Sequence, residues 1–391
     1  MVSWRLLLGA HIAILLAVLC ATLAPLLQRV WRLTLMPVSV ADKSPQAVRI
    51  GLLGASFIGQ VAMVYAAGKS KEAQIIAVAS RDHKRAHDFA WRNGISVALG
   101  GPTAYEELLQ RDDIEAVYIS VPTRLHYQWA MAALEHGKHV LLEKPMTLNA
   151  AEAARLQAKA GTRGLTLMEA AHYRFHPAAR RFRDMLAGSG VGSLERIEAE
   201  FHMLDPKAWF SNFIGTQTSG SEHERVKNLD RWWYCVDELL WFTNATSAEV
   251  IMAKEGRFSL TAELRLHVGD SRASASGTNS TVLATARMSR DRIWPPFAWN
   301  VHAFGSSGGS KFTNVGFPFL WHRIQSWGGE VTQVSDTMYG EGETTFEHQL
   351  SAFVAAVKSP STTLDIPVGT MSVVDLLLAA AGSRPFETPS T

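Results

Sequence analysis

Cysteine is nearly missing: Cys20 and Cys235 are the two in 391 residues, too far apart to make a disulfide framework or a CxxC metal motif. A reducing compartment is the corresponding expectation. An excess of one charge is missing too. Lys+Arg 38 stand against Asp+Glu 36, so the counterion-release drive for binding nucleic acid is absent and no nucleic-acid partner is expected. The 14 histidines form no spaced ligand set with cysteine or carboxylate, which leaves the expected metal set at none. Long uncharged runs are missing with one exception. Leu6 to Leu27 spans 22 residues without a formal charge, about what a helix needs to cross a bilayer core. The run is read as a single N-terminal transmembrane helix, with residues 1–46 as membrane anchor and tether. A cleaved signal peptide is the rival, disfavoured by Pro25 just after the small pair Thr22 and Ala24. Arg29, Arg32 and Lys43 follow the run whereas Met1 and Arg5 precede it, so the large domain is expected on the cytosolic side of the membrane.

What is present is enough hydrophobic residue, 47%, for two folded domains. Residues 47–167 read as an α/β Rossmann domain, a doubly wound parallel sheet. Val48 to Leu53 is a buried strand and Ile58 to Ala67 its helix; Gln74 to Ser80 is a second strand. Helices at 82–93, 104–110 and 124–136 and strands at 115–121 and 138–142 continue the alternation. Asn149 and Glu152 cap a helix running to Thr162, and a strand follows at 164–170. The rhythm then changes. Ile197, Ala199, Phe201 and Met203 alternate with Arg196, Glu198, Glu200 and His202, and Thr261 to Val268 repeats the pattern. With strands at 247–254, 281–289 and 298–304 and helices at 345–357 and 368–381, residues 168–391 read as an α+β substrate and oligomerisation domain. Its large, mainly antiparallel open sheet is expected to offer a homodimer face, and its last helix to pack back on the Rossmann domain.

Gly51-Leu-Leu-Gly54-Ala-Ser56-Phe57-Ile58-Gly59 lies between the first strand and its helix, where backbone N–H groups can approach a pyrophosphate at the helix N-terminus. Gly54 and Gly59 occupy the outer places of G-x-G-x-x-G, and Ser56 the middle one. At the end of the second strand, Ser80-Arg81 stands where an acid would hold a ribose 2′-hydroxyl, so a 2′-phosphate and hence NADP rather than NAD is expected. Pro122 and His126 follow a third strand at the same sheet edge, where His126 lines the cofactor or is a surface helix histidine. Glu143-Lys144-Pro145 closes the next strand, pointing a charged pair into the crevice.

With Gly137-Lys-His-Val140, Glu143-Lys-Pro145 and Met168-Glu-Ala-Ala-His172-Tyr-Arg174-Phe-His-Pro177, residues Val48 to about Pro177 resemble the Gfo/Idh/MocA oxidoreductases. The last segment is similar to the branch of dimeric dihydrodiol dehydrogenases and fungal NADP-dependent D-xylose dehydrogenases. The resemblance implies that Lys144 lies near the reacting carbon. It also implies that Tyr234 in Asp230-Arg-Trp232-Trp-Tyr234 transfers the proton and that Asp230 orients substrate, one helical turn away. Tyr234 is expected to have its pKa lowered by Lys144, which also binds the reacting oxygen. Trp232, standing where the family has glycine, is expected to reshape the substrate pocket; His172 and Arg174 are expected at the substrate, with Arg174 equally suited to tying the domains together. The function implied is transfer of a hydride between nicotinamide and a sugar or vicinal-diol carbon. A non-catalytic NADP-sensing regulator of the same fold and a tailoring reductase acting on an apolar substrate are the alternatives. The regulator has no use for a Lys144 and Tyr234 pair.

Overall fold

The computed structural model describes residues 41–188, 191–205, 222–256, 258–268, 280–290, 297–328, 331–335, 339–359, 368–382 and 386. Two sheets organise them. The first has six parallel strands in the order β3-β2-β1-β4-β5-β6: β1 Val48–Leu53, β2 Ala73–Ser80, β3 Val97–Gly100, β4 Ala116–Ile119, β5 His139–Leu142 and β6 Leu167–Glu169. Its central strands are buried on both faces, which is why they read as unbroken apolar runs. Strand order reverses between β1 and β4, and the carboxyl ends of β1, β4, β5 and β6 form one edge there. The helices are α1, which starts at Phe57–Gly59, passes through a π turn at Gln60–Val64 and ends at Tyr65–Lys69; α2 His83–Asn93; α3 Ala104–Leu109; α4 His126–Glu135; and α5 Ala150–Arg163. The short edge strand β3 and the π turn are absent from the pattern read in the sequence.

The second sheet has eight strands in the order β14-β13-β12-β11-β7-β10-β9-β8. These are β7 Leu194–Met203, β8 Ala245–Glu255, β9 Ser259–Val268, β10 Ser280–Ser289, β11 Phe297–Gly305, β12 Gly308–Thr313, β13 Arg323–Gly328 and β14 Val331–Ser335. It is mixed: β10 and β7 run parallel, and the other pairs are antiparallel. The last three strands form a meander that sequence alternation missed. Helix α6 Pro177–Ala187 leads into this half, and α7 Glu222–Thr243 covers the inner face of the sheet. The stripe Leu229, Trp232, Trp233, Val236, Leu239 and Leu240, spaced as a helix requires, is buried.

Helix α8 Thr345–Lys358 begins with a full capping box between Thr344 and Glu347 and packs against the 3-10 turn His172–Phe175 and against α1. The last helix, α9 Val368–Ala380, lies on α5 but also on β8 and α7. It therefore touches both halves.

The expected transmembrane helix is a correction. Among the described residues no helix is long and apolar enough to cross a membrane, and the run at 6–27 lies outside them. The longest described helix, α7, carries Asp230, Arg231, Asp237 and Glu238 within its span, a cost no bilayer core accommodates cheaply. The membrane-anchored, cytosol-facing placement loses its support with the helix. Nor is the tether loose where it is described: Ala41 N–H donates to Gly68 O, and the Lys43 ammonium donates to Ala67 O and Ser70 O at 2.6 and 2.7 Å. That ammonium sits at the C-terminus of α1, where the helix dipole favours a cation.

Candidate active site at the carboxyl edge of the parallel sheet

At the nucleotide end, Gly54 follows β1 with φ +111, and a Cβ there would sit 3.1 Å from the backbone oxygen of Ser120 after β4. Only glycine lets the chain pass so close to the neighbouring strand. Ser56, in the place of the middle glycine, is the N-cap of α1: its Oγ accepts from Gly59 N–H at 2.9 Å and shares a hydrogen bond with Ser120 Oγ at 2.8 Å. Phe57 is exposed and Ile58 half-buried. Ser80 ends β2, with its Oγ accepting from Asp82 N–H at 3.3 Å. Asp82 itself caps α2 by accepting from Arg85 N–H at 2.7 Å, so the nearest acid is committed to a helix end. Arg81 hydrogen-bonds Tyr105, and Arg85 also bears on that phenol; burial raises the Tyr105 pKa, and both guanidinium groups oppose it. Ser120, Tyr105 and Arg85 are not evident from the sequence; the signal for Arg85 is its place in the first turn of α2, just after Arg81.

Pro122 opens the 3-10 turn Thr123–Leu125. His126 does not face the crevice. It is buried, with Nδ1 2.8 Å from Pro145 O and Nε2 2.9 Å from Val121 O, so both ring nitrogens are spent joining two backbone turns. After β5, the Tyr118 hydroxyl donates to Glu143 Oε1 at 2.5 Å and Lys144 N–H donates to Glu143 Oε2 at 3.3 Å. Burial raises the Glu143 pKa, with Lys144 opposing.

The Lys144 ammonium lies 2.7 Å from Asp230 Oδ1 and 4.2 Å from the centroid of the Tyr234 ring. Sheet edge and second-half helix meet at this nitrogen. Burial works to lower the Lys144 pKa, but Asp230, Tyr234 and Glu143 outweigh it and hold the group above its ordinary range. Tyr234 differs from the expectation. Burial drives its pKa well up; Lys144 is the largest opposing influence and does not prevail. The phenol therefore keeps its proton. Phe201, Trp233, Trp299 and His172 surround it at ring-centroid distances of 5.7, 5.3, 4.4 and 6.4 Å.

His172 is buried beside this pair, with Nδ1 3.0 Å from Thr345 Oγ1 and its ring 6.2 Å from Phe317 and 4.6 Å from Phe346. Burial, then Lys144 and His176, push its pKa down to about 3, so it is neutral. Arg174 is turned inward. Its guanidinium grips the fully buried Asp237 through Nε at 2.9 Å and through Nη2, tying the His172–Phe175 turn to α7. Both partners lie beyond residue 167, so these contacts fasten elements within the second half and do not join the two domains. Trp232 is 1% exposed and belongs to the main core rather than a pocket wall, because the buried stripe of α7 passes through it. The fold also gathers His176, His322 and His348, with ring centroids 5.9 and 5.4 Å apart, which sequence spacing could not show. Among the described residues no group of three or more His, Cys, Asp or Glu could hold a metal ion.

A glycine turn over a helix N-terminus and a strand-order reversal beside it are the features of a dinucleotide-binding fold. Residues 48–171 match the family model GFO_IDH_MocA, described as an oxidoreductase family with an NAD-binding Rossmann fold. A D-xylose 1-dehydrogenase (NADP(+)) of Haloferax volcanii is 42% identical over 156 residues, 40% of this chain and 46% of that enzyme. The trans-1,2-dihydrobenzene-1,2-diol dehydrogenase of Mus musculus is 39% identical over 213 residues, 53% of this chain and 60% of that enzyme. The chain thus matches about half the length of these curated relatives. Among solved structures, a variant of KijD10, a 3-ketoreductase of Actinomadura kijaniata in complex with TDP-benzene and NADP, superposes with a TM-score of 0.69 at 25% identity, over 86% of this chain and 98% of that one.

Proposed function

We propose that this chain is an NADP-dependent oxidoreductase acting at a hydroxyl-bearing or carbonyl carbon of a sugar or vicinal diol. The observation that carries the reading is the Lys144 ammonium held between Asp230 and Tyr234 at the sheet edge that also bears the Gly54–Gly59 turn. The residues present suit the dinucleotide: the cradle at Gly54 is one a Cβ would fill, α1 opens its N-terminus there, and Arg81 with Arg85 offers cations for a 2′-phosphate. The NADP named with KijD10 and with the xylose dehydrogenase supports the same choice.

When bound, the nicotinamide supplies or accepts the hydride. Lys144, fixed by Asp230, directs its N–H groups at the reacting oxygen and stabilises negative charge there. Tyr234, kept protonated by burial, is suited to give its proton to that oxygen, which makes it the acid of a reduction; in the reverse direction it must first release that proton, and the Lys144 cation favours the phenolate that then accepts the substrate's. Asp230 orients substrate and lysine together. His172 lies beside Tyr234 as a neutral ring, and the core aromatic groups packed around Tyr234 hold its ring in place.

Division into a nucleotide domain to about residue 167 and a substrate domain beyond it belongs to this proposal. So does pairing of two copies through the outward face of the second sheet, where Ile251, Met252 and Leu283 are exposed. The test is NADPH oxidation, and NADP reduction, with pentoses, hexoses, cyclic vicinal diols and the matching ketones. Turnover that Tyr234→Phe abolishes supports the enzyme. NADPH binding without turnover of any of them points to the regulator.

A further inference from the structure

The Lys144 turn is held from three sides. Before it, Glu143 is fixed by Tyr118 and accepts Lys144 N–H; at its middle, Pro145 O is bonded by His126. After it, Met146 N–H donates to Glu169 Oε1 at 2.6 Å. Glu169 ends β6, in register with Leu142 of β5, and is 4% exposed. Its strand neighbours Leu167 and Met168 are apolar and buried. An acid at such a position is costly unless a specific contact needs it, and the sheet does not.

We propose that Glu169 is the positioning residue of this turn: by accepting the Met146 N–H from the adjacent strand, it fixes the Lys144–Pro145–Met146 backbone and so keeps the Lys144 ammonium between Asp230 and Tyr234. The proposal deepens the functional reading and rests on it only for the role of Lys144. The charged groups that bear on Glu169 are Asp237 from α7, Arg174 from the His172–Phe175 turn and Lys144 itself. Burial, then Asp237, push its pKa up to about 8 against Arg174, the Met146 N–H and Lys144. The ionised carboxylate is the stronger acceptor, so the grip on Met146 tightens as pH rises through that value.

The test is amine-ester labelling of the full chain at fixed pH, read lysine by lysine by mass spectrometry. Lys138, whose ammonium donates to Arg111 O and Ile114 O, is the internal reference. Glu169→Met keeps the volume and removes the acceptor; Glu169→Gln keeps an acceptor. Expected is a rise in Lys144 labelling of about tenfold over Lys138 in the Met variant, and a change within about twofold in the Gln variant. Should the Met variant fail to fold, Glu169→Asp, whose carboxyl is retracted by one methylene, is expected to show the same rise. Unchanged Lys144 labelling in a folded Met or Asp variant overturns the proposal. A rise shared equally by Lys138 overturns it too, since that is general loosening. Thermal melting adds a check. Glu169 binds its proton more tightly folded than unfolded, so wild type should lose stability relative to Glu169→Gln as pH rises from about 4.5 to about 8; parallel curves refute the assigned protonation and with it the tightening of the grip. Labelling needs no substrate. Failure of the oxidoreductase reading would appear as wild type without turnover and an intact labelling pattern.

Discussion

Asp237→Ala strips the acceptor from four hydrogen bonds at once. Asp237 is fully buried and receives Arg174 Nε at 2.9 Å, Arg174 Nη2, the Tyr173 hydroxyl at 2.5 Å and the Thr370 hydroxyl at 2.9 Å. These donors come from the His172–Phe175 turn and from α9, so one carboxylate on α7 joins three elements. Arg174 is 7% exposed and has no water to turn to once its partner is gone. Removing one member of a buried pair typically costs about 3–5 kcal/mol, because the remaining charge is left uncompensated. With a melting-temperature shift of roughly 2–4 °C per kcal/mol for chains of this order, the expected drop is on the order of 10 °C. Differential scanning calorimetry at pH 7 measures it, with a urea titration for the free energy. The double variant Arg174→Met with Asp237→Leu removes both charges and should recover most of the loss, since apolar replacement of a whole buried pair is often neutral. If Asp237→Ala melts within about 2 °C of wild type, or the double variant is no better than the single, the pair is not the fastening its geometry describes.

Other outcomes follow from the site. Lys144→Met and Tyr234→Phe should each lower turnover by roughly 10²–10⁴-fold while NADPH affinity, read by fluorescence titration, stays within about twofold; normal turnover in both removes their roles. Arg81→Glu should weaken NADPH binding on the order of a hundredfold and leave NADH nearly unaffected, and equal losses for both nucleotides would count against the 2′-phosphate assignment. His172 and His176 are each pushed down to about 3, chiefly by burial. The unfolded chain protonates its histidines near pH 6.5, so it binds more protons than the folded one below that value, and stability should fall as pH drops from about 6.5 toward 3. His172→Phe should flatten that decline in a melting series; an unchanged slope would show His172 titrating normally.

The parallel sheet was legible because its signals are local. A strand buried on both faces reads as an apolar run wherever it lies, and the Gly54–Gly59 turn announces itself by spacing. Strands β3 and β12 to β14 were not legible. They are short or polar, and what makes them strands is the neighbour they pair with, as Lys311 and Gln325 do across β12 and β13. Site residues divide the same way. Lys144 and Tyr234 could be named from motifs, but their approach depends on where the fold sets α7, whose Asp230 and Tyr234 both reach the Lys144 ammonium.

Side-chain chemistry alone could not say which way a polar group turns. His126 and Arg174 have the character of crevice residues, yet one is bonded to two carbonyls and the other to a buried carboxylate. Glu169 looks ordinary in sequence, and only the register of β6 on β5 brings it to Met146. The sequence by itself determined the nucleotide-binding fold, the Glu-Lys-Pro turn and the Tyr234 helix, because each is written in neighbouring residues. Tertiary structure decided that Tyr234 holds its proton, that Trp232 is core and that no described helix spans a membrane. Burial sets the first two, and burial belongs to the packed chain rather than to any segment of it; the third follows from where the described helices begin and end and which charges they carry.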